Sequence, residues 1–230
     1  MARWCALILL LAAGARPEAS TAQRFARELS AHVTDDGRVD YAGWKVDHAG
    51  LDAYLKALAL PSTSPRPLGA LIDGYNALVV KEVLDRYPLK SVRDVPGFFD
   101  AITHPVGGEA LTLNALEGKI RALGDPRVHF ALNCASRSCP RLARRIYEGS
   151  RLDELLTART RVFLKESLKV ERVAKTLTVS RLFERYAEDF AAGGGVGAFL
   201  AAQDAVPKDV QVPPYRLVYA PYDWSLNDAR

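Results

Sequence analysis

Two cysteines and a histidine lie close together in the stretch HFALNCASRSCPRL, which begins at His129. A deprotonated thiol is a strong nucleophile, and a neighbouring imidazole is the base that most often activates one. Cys134 and Cys139 are also close enough in sequence to close a small loop as a disulfide. The residue types therefore predict either a reactive thiol or a covalent staple in this segment.

Cys139 is the first choice for the nucleophile. It precedes Pro140, and proline is favoured at the first position of a helix, where the apolar residues that follow predict one. Cys139 would then be the N-cap, where unpaired N–H groups and the positive end of the helix dipole favour a thiolate. The guanidinium groups of Arg137 and Arg141 act in the same direction.

The other members of a catalytic site are chosen by residue type and position. His129 is the expected base, and a third group should hold its imidazole in one orientation and tautomer. Glu117, on the preceding predicted helix, is the first choice for that group, and Asp223 is the second. Asn76 and Asn133 could supply amide donors for an oxyanion hole. The sequence therefore predicts a Cys-His-Glu site.

Each candidate also has a purely structural interpretation. His129 stands among apolar residues and could be a half-buried histidine bonded to a backbone carbonyl. Glu117 could pair with the arginine one helical turn later, and Asp223 could do no more than hold the C-terminal tail. Asn76, inside an apolar helix, could bond a loop carbonyl, because buried amides need partners.

A second function of a different class stays open. If Cys134 and Cys139 are bonded, the segment becomes a rigid recognition loop in a non-catalytic binding domain. Aromatic residues near the C-terminus would lie beside it: Tyr215, Tyr219, Tyr222 and Trp224.

Metal, phosphate and nucleic-acid functions receive little support. His129, Cys134 and Cys139 give three possible zinc ligands, but no second cysteine pair or His-x-x-x-His completes a tetrahedron. The run GGGVG lacks the Lys-Ser/Thr of a phosphate-binding loop. The formal charge of +4 is spread along the chain rather than gathered on one basic face. We therefore expect no metal, no cofactor and no nucleic-acid partner, and a small-molecule or peptide-like substrate.

The first residues predict an export signal. Arg3 precedes an apolar run from Trp4 to Ala13 that is short for a membrane span, and small residues follow it. We therefore expect a signal peptide over residues 1–22 and a mature domain over 23–230 that is secreted or periplasmic, without a stable membrane span. An uncleaved anchor is the alternative. An oxidising compartment favours bonded over free cysteine pairs.

The remaining pattern predicts a helix-rich α+β fold in a single domain. Of 230 residues, 49% are hydrophobic and 25% charged, which is ordinary for a globular chain with its own core. Helical spacing predicts helices at 23–33, 48–60, 68–87 and 112–123, and a further one after Pro140 that extends through Leu156, either continuous or broken near Gly149-Ser150. VDYAGW reads as a short strand, and VHFAL as a strand or a helical turn. A strand pair near Val170 and 177–179 and a closing strand in YRLVYAPYDWSLND predict a small antiparallel sheet.

Several of these segments together resemble one family. VDYAGW, YNALVVKEVLDRYP, SVRDVPGFFD, LTLNALEGKIRA, DPRVHFALNCASRSCPRL and YDWSLND are similar, in this order, to the domain of unknown function 547 family. The resemblance covers essentially the whole of residues 23–230. Some members are similar to papain-like or transglutaminase-like thiol folds, so the resemblance implies such a fold, while it implies little about activity. The residues themselves predict a thiol-dependent hydrolase or acyltransferase that acts on an amide or thioester of a peptide-like substrate through the Cys-His-Glu site.

Overall fold

A computed structural model describes residues 19–147 and 149–230 of the chain. The predicted signal segment lies largely outside these residues. The helices are α1 (Thr21–His32), α2 (Tyr41–Val46), α3 (Ala49–Ala59), α4 (Leu68–Arg86), α5 (Leu113–Arg121), α6 (Leu152–Ser167), α7 (Leu182–Arg185), α8 (Ala187–Ala191) and α9 (Gly195–Ala202). The strands are β1 (Thr103–Val106), β2 (Glu109–Thr112), β3 (Lys169–Glu171), β4 (Thr176–Val179) and β5 (Arg216–Tyr219).

The helical half of the fold is built around α4. Most of this helix is buried, so it has apolar residues on every side, as expected for a helix enclosed by other elements. Helices α2, α3 and α5 pack against it, and α1 packs against α3. Helix α1 begins with a capping box, in which Ser20 and Gln23 bond each other's backbone N–H groups. The predicted helices of this half are confirmed.

Two small sheets complete the α+β fold, which the sequence predicted. Strands β3 and β4 pair antiparallel, and β5 adds to β4 in parallel, so the three-stranded sheet is mixed. The β1–β2 hairpin was not predicted from the sequence. Its turn is Gly107-Gly108, both with positive φ (63° and 87°), which is the signal of a two-residue hairpin that could have identified it.

The core consists of two apolar clusters that meet at the 3-10 helix Pro126–Phe130. Val128 belongs to the cluster around α4, and Phe130 belongs to the cluster between α6, α7, α8 and β4. His129 lies between these two residues. The short helix therefore anchors the segment that follows it to both halves of the fold.

Two local predictions are wrong. VDYAGW is not a strand, because only Val39 makes isolated bridges and Tyr41 begins α2, capped by the Asp40 carboxylate. No helix begins at Pro140, because residues 140–147 are irregular, and the helix predicted after Pro140 is present only from Leu152, as α6. Backbone groups of this segment bond side chains from elsewhere: Pro140 O accepts from Asn133, and Tyr147 N–H donates to the Asp73 carboxylate.

Within residues 19–147 and 149–230, none of the helices has both the length and the apolar character that crossing a bilayer requires.

Candidate thiol site on a cavity wall

Two buried asparagines shape the segment Ala131–Pro140, here called the thiol loop. Asn76 on α4 donates from Nδ2 to Ala131 O (3.0 Å) and accepts Asn133 N–H at Oδ1 (2.8 Å). Asn133 in turn accepts Ala135 N–H (2.9 Å) and donates to Pro140 O (2.8 Å). Each amide bonds the backbone through its oxygen and through one of its two N–H donors, so Asn76 fits its structural interpretation.

The thiol loop should lose its anchor if Asn76 is replaced. In Asn76→Ala the buried Ala131 carbonyl and Asn133 N–H lose their partner, and each such group costs about 1–3 kcal/mol. We expect the free energy of unfolding, measured by urea titration, to fall by roughly 2–4 kcal/mol. Asn114→Ala, an exposed position on α5, is the matched control and should change it by less than about 0.5 kcal/mol. Equal effects of the two substitutions would contradict this role.

Cys134 lies in a backbone concavity that collects hydrogen-bond donors. The next residue, Ala135, has the left-handed φ of 58°, which turns the Ser136 N–H back toward Cys134 Sγ. Ser136 Oγ lies 3.1 Å and Tyr222 Oη 3.2 Å from the same sulfur. Ser136 donates to Tyr222 (3.1 Å), which leaves the tyrosine proton for the sulfur. Burial raises the pKa of Cys134, but the hydrogen-bonding environment formed by Cys139, Ser136 and Tyr222 outweighs it and lowers the pKa to about 7.

Cys139 lies in a different electrostatic environment. Its Sγ accepts the Cys134 N–H (2.8 Å) and lies 3.8 Å from Leu132 O. Burial and the adjacent Cys134 sulfur raise the pKa of Cys139. The helix N-terminus that should have lowered it is absent. Both thiols are free in the structure rather than bonded to each other. The two environments therefore favour Cys134 as the thiolate and Cys139 as the protonated thiol beside it.

His129 is oriented by an aspartate that the sequence analysis did not select. Its Nε2 lies 2.6 Å from Asp189 Oδ2 on α8, and Arg121 binds the same carboxylate through two bonds of 2.6 and 2.8 Å. The ring stacks on Tyr186 with 4.1 Å between centroids. Burial lowers the pKa of His129 to about 4 although Asp189 opposes the shift. The neutral ring donates from Nε2 and keeps Nδ1 as its acceptor.

The depressed pKa of His129 predicts acid sensitivity. Between about pH 6.5 and pH 4 the unfolded chain binds a proton at this position that the folded chain does not. The free energy of unfolding therefore loses nothing to this group above pH 6.5. It falls as the pH falls through this window, by up to about 3 kcal/mol. Urea titrations across the window should show this slope, and His129→Gln should lack it. A slope of the same size in His129→Gln would assign the sensitivity to other groups.

The two carboxylates expected to orient His129 lie elsewhere. Glu117 is buried on α5, beside the Tyr186 hydroxyl, whose pKa is raised by burial and by that carboxylate. Asp223 is exposed and accepts the Ser225 N–H (2.9 Å) and hydroxyl (2.6 Å). Its backbone bonds Ser138 in the thiol loop, so it holds the C-terminal tail against the loop.

The candidate residues meet at a cavity of about 260 Å³ between the two halves of the fold, here called the apolar cavity. His129, Glu117, Cys134 and Cys139 all line it, together with Tyr222. Much of the remaining wall is apolar or aromatic: Tyr75, Phe99, Leu132, Leu182, Tyr186 and Trp224. Phe98, by contrast, is buried in the core. The structure thus brings both thiols and the imidazole to one cavity. Among the described residues, the His129 ring makes no hydrogen bond to either sulfur.

Sequence reasoning missed Asp189 and gave Tyr222 only a place in the aromatic tail. Both are distant from the thiol loop in the chain and reach it only through tertiary packing, so no local spacing could identify them. The aspartate in AEDF belongs to no motif, and the tyrosine belongs to YDWSLND, a segment that supports the family resemblance but assigns it no role. In the part of the chain that the structure describes, His, Cys, Asp and Glu side chains form no group of three or more that could hold a metal ion.

Comparison with known proteins gives one match. A family model described as "Protein of unknown function, DUF547" matches residues 66–164, which include Asn76, Glu117, His129 and both cysteines of the thiol loop but not Asp189 or Tyr222. Searches of the curated proteins and of the solved structures found no match. Over residues 66–164 the chain is thus similar to the DUF547 family, proteins of unknown function.

Proposed function

We propose that this protein is an exported thiol-dependent hydrolase or acyltransferase that acts on an amide or thioester of a peptide-like substrate. The observation that carries the proposal is the environment of Cys134, whose sulfur meets three kinds of donor in the cavity that His129 also lines. Perturbed thiols in clefts are typical of functional sites. Export is supported by the apolar run and small residues at the N-terminus.

The chemistry follows from the two ionisable groups. The Cys134 thiolate attacks the carbonyl carbon, a C–S bond forms, and the C–N or C–S bond of the substrate breaks. The leaving group departs with the electron pair, and an amine takes up a proton from solvent as it leaves. Water or another acceptor then attacks the acyl-thioester while the neutral His129 takes its proton, which releases the product and the Cys134 thiolate, and the proton then passes from His129 to solvent. Asp189 stabilises the imidazolium that forms in this second step.

The test is capture of the acyl-enzyme. The reduced protein is incubated with the N-acetylcysteamine thioester of acetate and with aminocoumarin amides, and adducts are located by intact mass and peptide mapping. We expect one acyl group on Cys134 and slow release of the free acid. Acylation no faster than in the Cys134→Ser/Cys139→Ser double variant would overturn the proposal.

A further inference from the structure

The thiol loop also lines a second cavity, of about 440 Å³, here called the basic cavity. The two cavities share Cys139, Arg181 and Tyr222. A molecule that occupied both would therefore pass beside the thiol loop. This geometry allows the two cavities to bind different parts of one substrate.

Positive charge distinguishes the second cavity from the first. Five cationic side chains line it: Arg38, Arg137, Arg141, Lys169 and Arg181. Its two carboxylates are already paired, Asp36 with Arg38 at 3.1 Å and Glu166 with Arg141 at 2.8 Å. Within the described residues Arg137 and Lys169 make no ion pair, so their charge is available to a ligand.

Hydrogen-bond donors without a partner point to the same kind of ligand. Asn227 is 5% exposed, accepts the Tyr41 hydroxyl at Oδ1 (2.8 Å), and has no partner for Nδ2 in the described part of the chain. Ser138 accepts the Asp223 N–H at Oγ (2.8 Å), which leaves its own proton free. An ionised carboxylate only accepts hydrogen bonds, so it complements both groups.

We propose that the basic cavity binds a carboxylate of the substrate while the apolar cavity holds its aromatic or aliphatic part. The substrate class is then an acyl compound that carries a carboxylate, with the carbonyl under attack at the thiol loop between the two. The reaction in this assignment rests on the proposed thiol chemistry, whereas the binding of the anion does not.

The test compares two alkylating reagents of nearly equal size, neutral iodoacetamide and anionic iodoacetate. For each protein, the rate at which iodoacetate alkylates the loop thiols is divided by the rate for iodoacetamide. This reagent ratio is then divided by the reagent ratio of free cysteine. We expect the reagent ratio of the wild type to be about fivefold to tenfold higher than that of free cysteine at low salt, because two nearby cations concentrate the anion. Arg137→Gln/Lys169→Gln should bring the ratio back to about that of free cysteine.

The matched control removes two charges elsewhere. Lys56→Gln/Lys208→Gln has the same net charge as the test variant, and both lysines are exposed and outside the two cavities. It should keep the wild-type ratio. A wild-type ratio equal to that of free cysteine, or an equal fall in test and control variants, would overturn the basic cavity as an anion site.

Two further arms separate the parts of the proposal. Succinate should slow iodoacetate labelling more than inorganic phosphate does at equal ionic strength, and the reverse order would overturn the choice of a carboxylate. The pH midpoint of iodoacetamide labelling reports on the thiol alone. A midpoint like that of free cysteine would count against the thiol enzyme, while a raised reagent ratio would still support the anion site.

Discussion

Cys134→Ser should lower the rate of acyl-enzyme formation with a small thioester at least about a thousandfold, since a serine hydroxyl without a strong base is a poor nucleophile at neutral pH. The physical reason is donation by the Ser136 N–H and the Tyr222 hydroxyl, with the Cys139 thiol beside them, which stabilises a thiolate at this sulfur. The measurement is the rate at which the acyl mass appears on the intact protein.

Cys139→Ser is the matched control for this first prediction. Its hydroxyl can still donate to Cys134, so we expect acylation to fall by no more than about tenfold. Urea titration of both variants checks that the fold is kept. Retention of acylation in Cys134→Ser together with its loss in Cys139→Ser would restore Cys139 as the nucleophile and contradict the assignment made from the structure.

Asp189→Asn should slow release of the acyl group by about a hundredfold to ten-thousandfold, as replacement of an orienting aspartate can do in other catalytic sites. An amide at this position can present Nδ2 rather than an oxygen to His129, which would favour the wrong tautomer, and it cannot balance an imidazolium. It also removes the carboxylate of the bidentate Arg121 pair. The measurement is the single-turnover decay of the acetylated enzyme.

Glu117→Gln tests whether Asp189 or Glu117 orients the imidazole. Glu117 lies in the same cavity but beside Tyr186, so its amide variant should slow deacylation by less than about tenfold. The alkylation rate of Cys134 should change little in Asp189→Asn, which separates a positioning role from loss of the fold. A larger loss in Glu117→Gln than in Asp189→Asn would support the orienter chosen from the sequence.

The helices could be predicted because long apolar periodicity is set locally. The helix 68–87 and the strand pair near Val170 and 177–179 appear in the structure almost as expected. The helix predicted to begin at Pro140 does not form over residues 140–147, because the side chains of Asn133 and Asp73 bond the backbone of this segment. The spacing of apolar residues carries no information about such tertiary hydrogen bonds.

The residues that line the candidate site could be predicted from the sequence better than the chemical role of each residue. One cavity is indeed lined by His129, Cys134, Cys139 and Glu117. The reason is that helix α5, which carries Glu117, and the segment from His129 to Cys139 are close both in sequence and in the fold. The choice of thiol rested on a helix dipole that the fold does not provide. The partner of His129 is on α8, so its identity depends on how the second half of the chain packs against the first.

The most direct test of the account is the pH profile of iodoacetamide labelling at each cysteine, followed by peptide mapping of the reduced protein from about pH 5 to about pH 9. The account predicts that Cys134 is labelled first, with a midpoint near its pKa of about 7, and that Cys139 stays largely unreactive throughout. Labelling of Cys134 with the midpoint of free cysteine, near about pH 8.5, or faster labelling of Cys139, would contradict it.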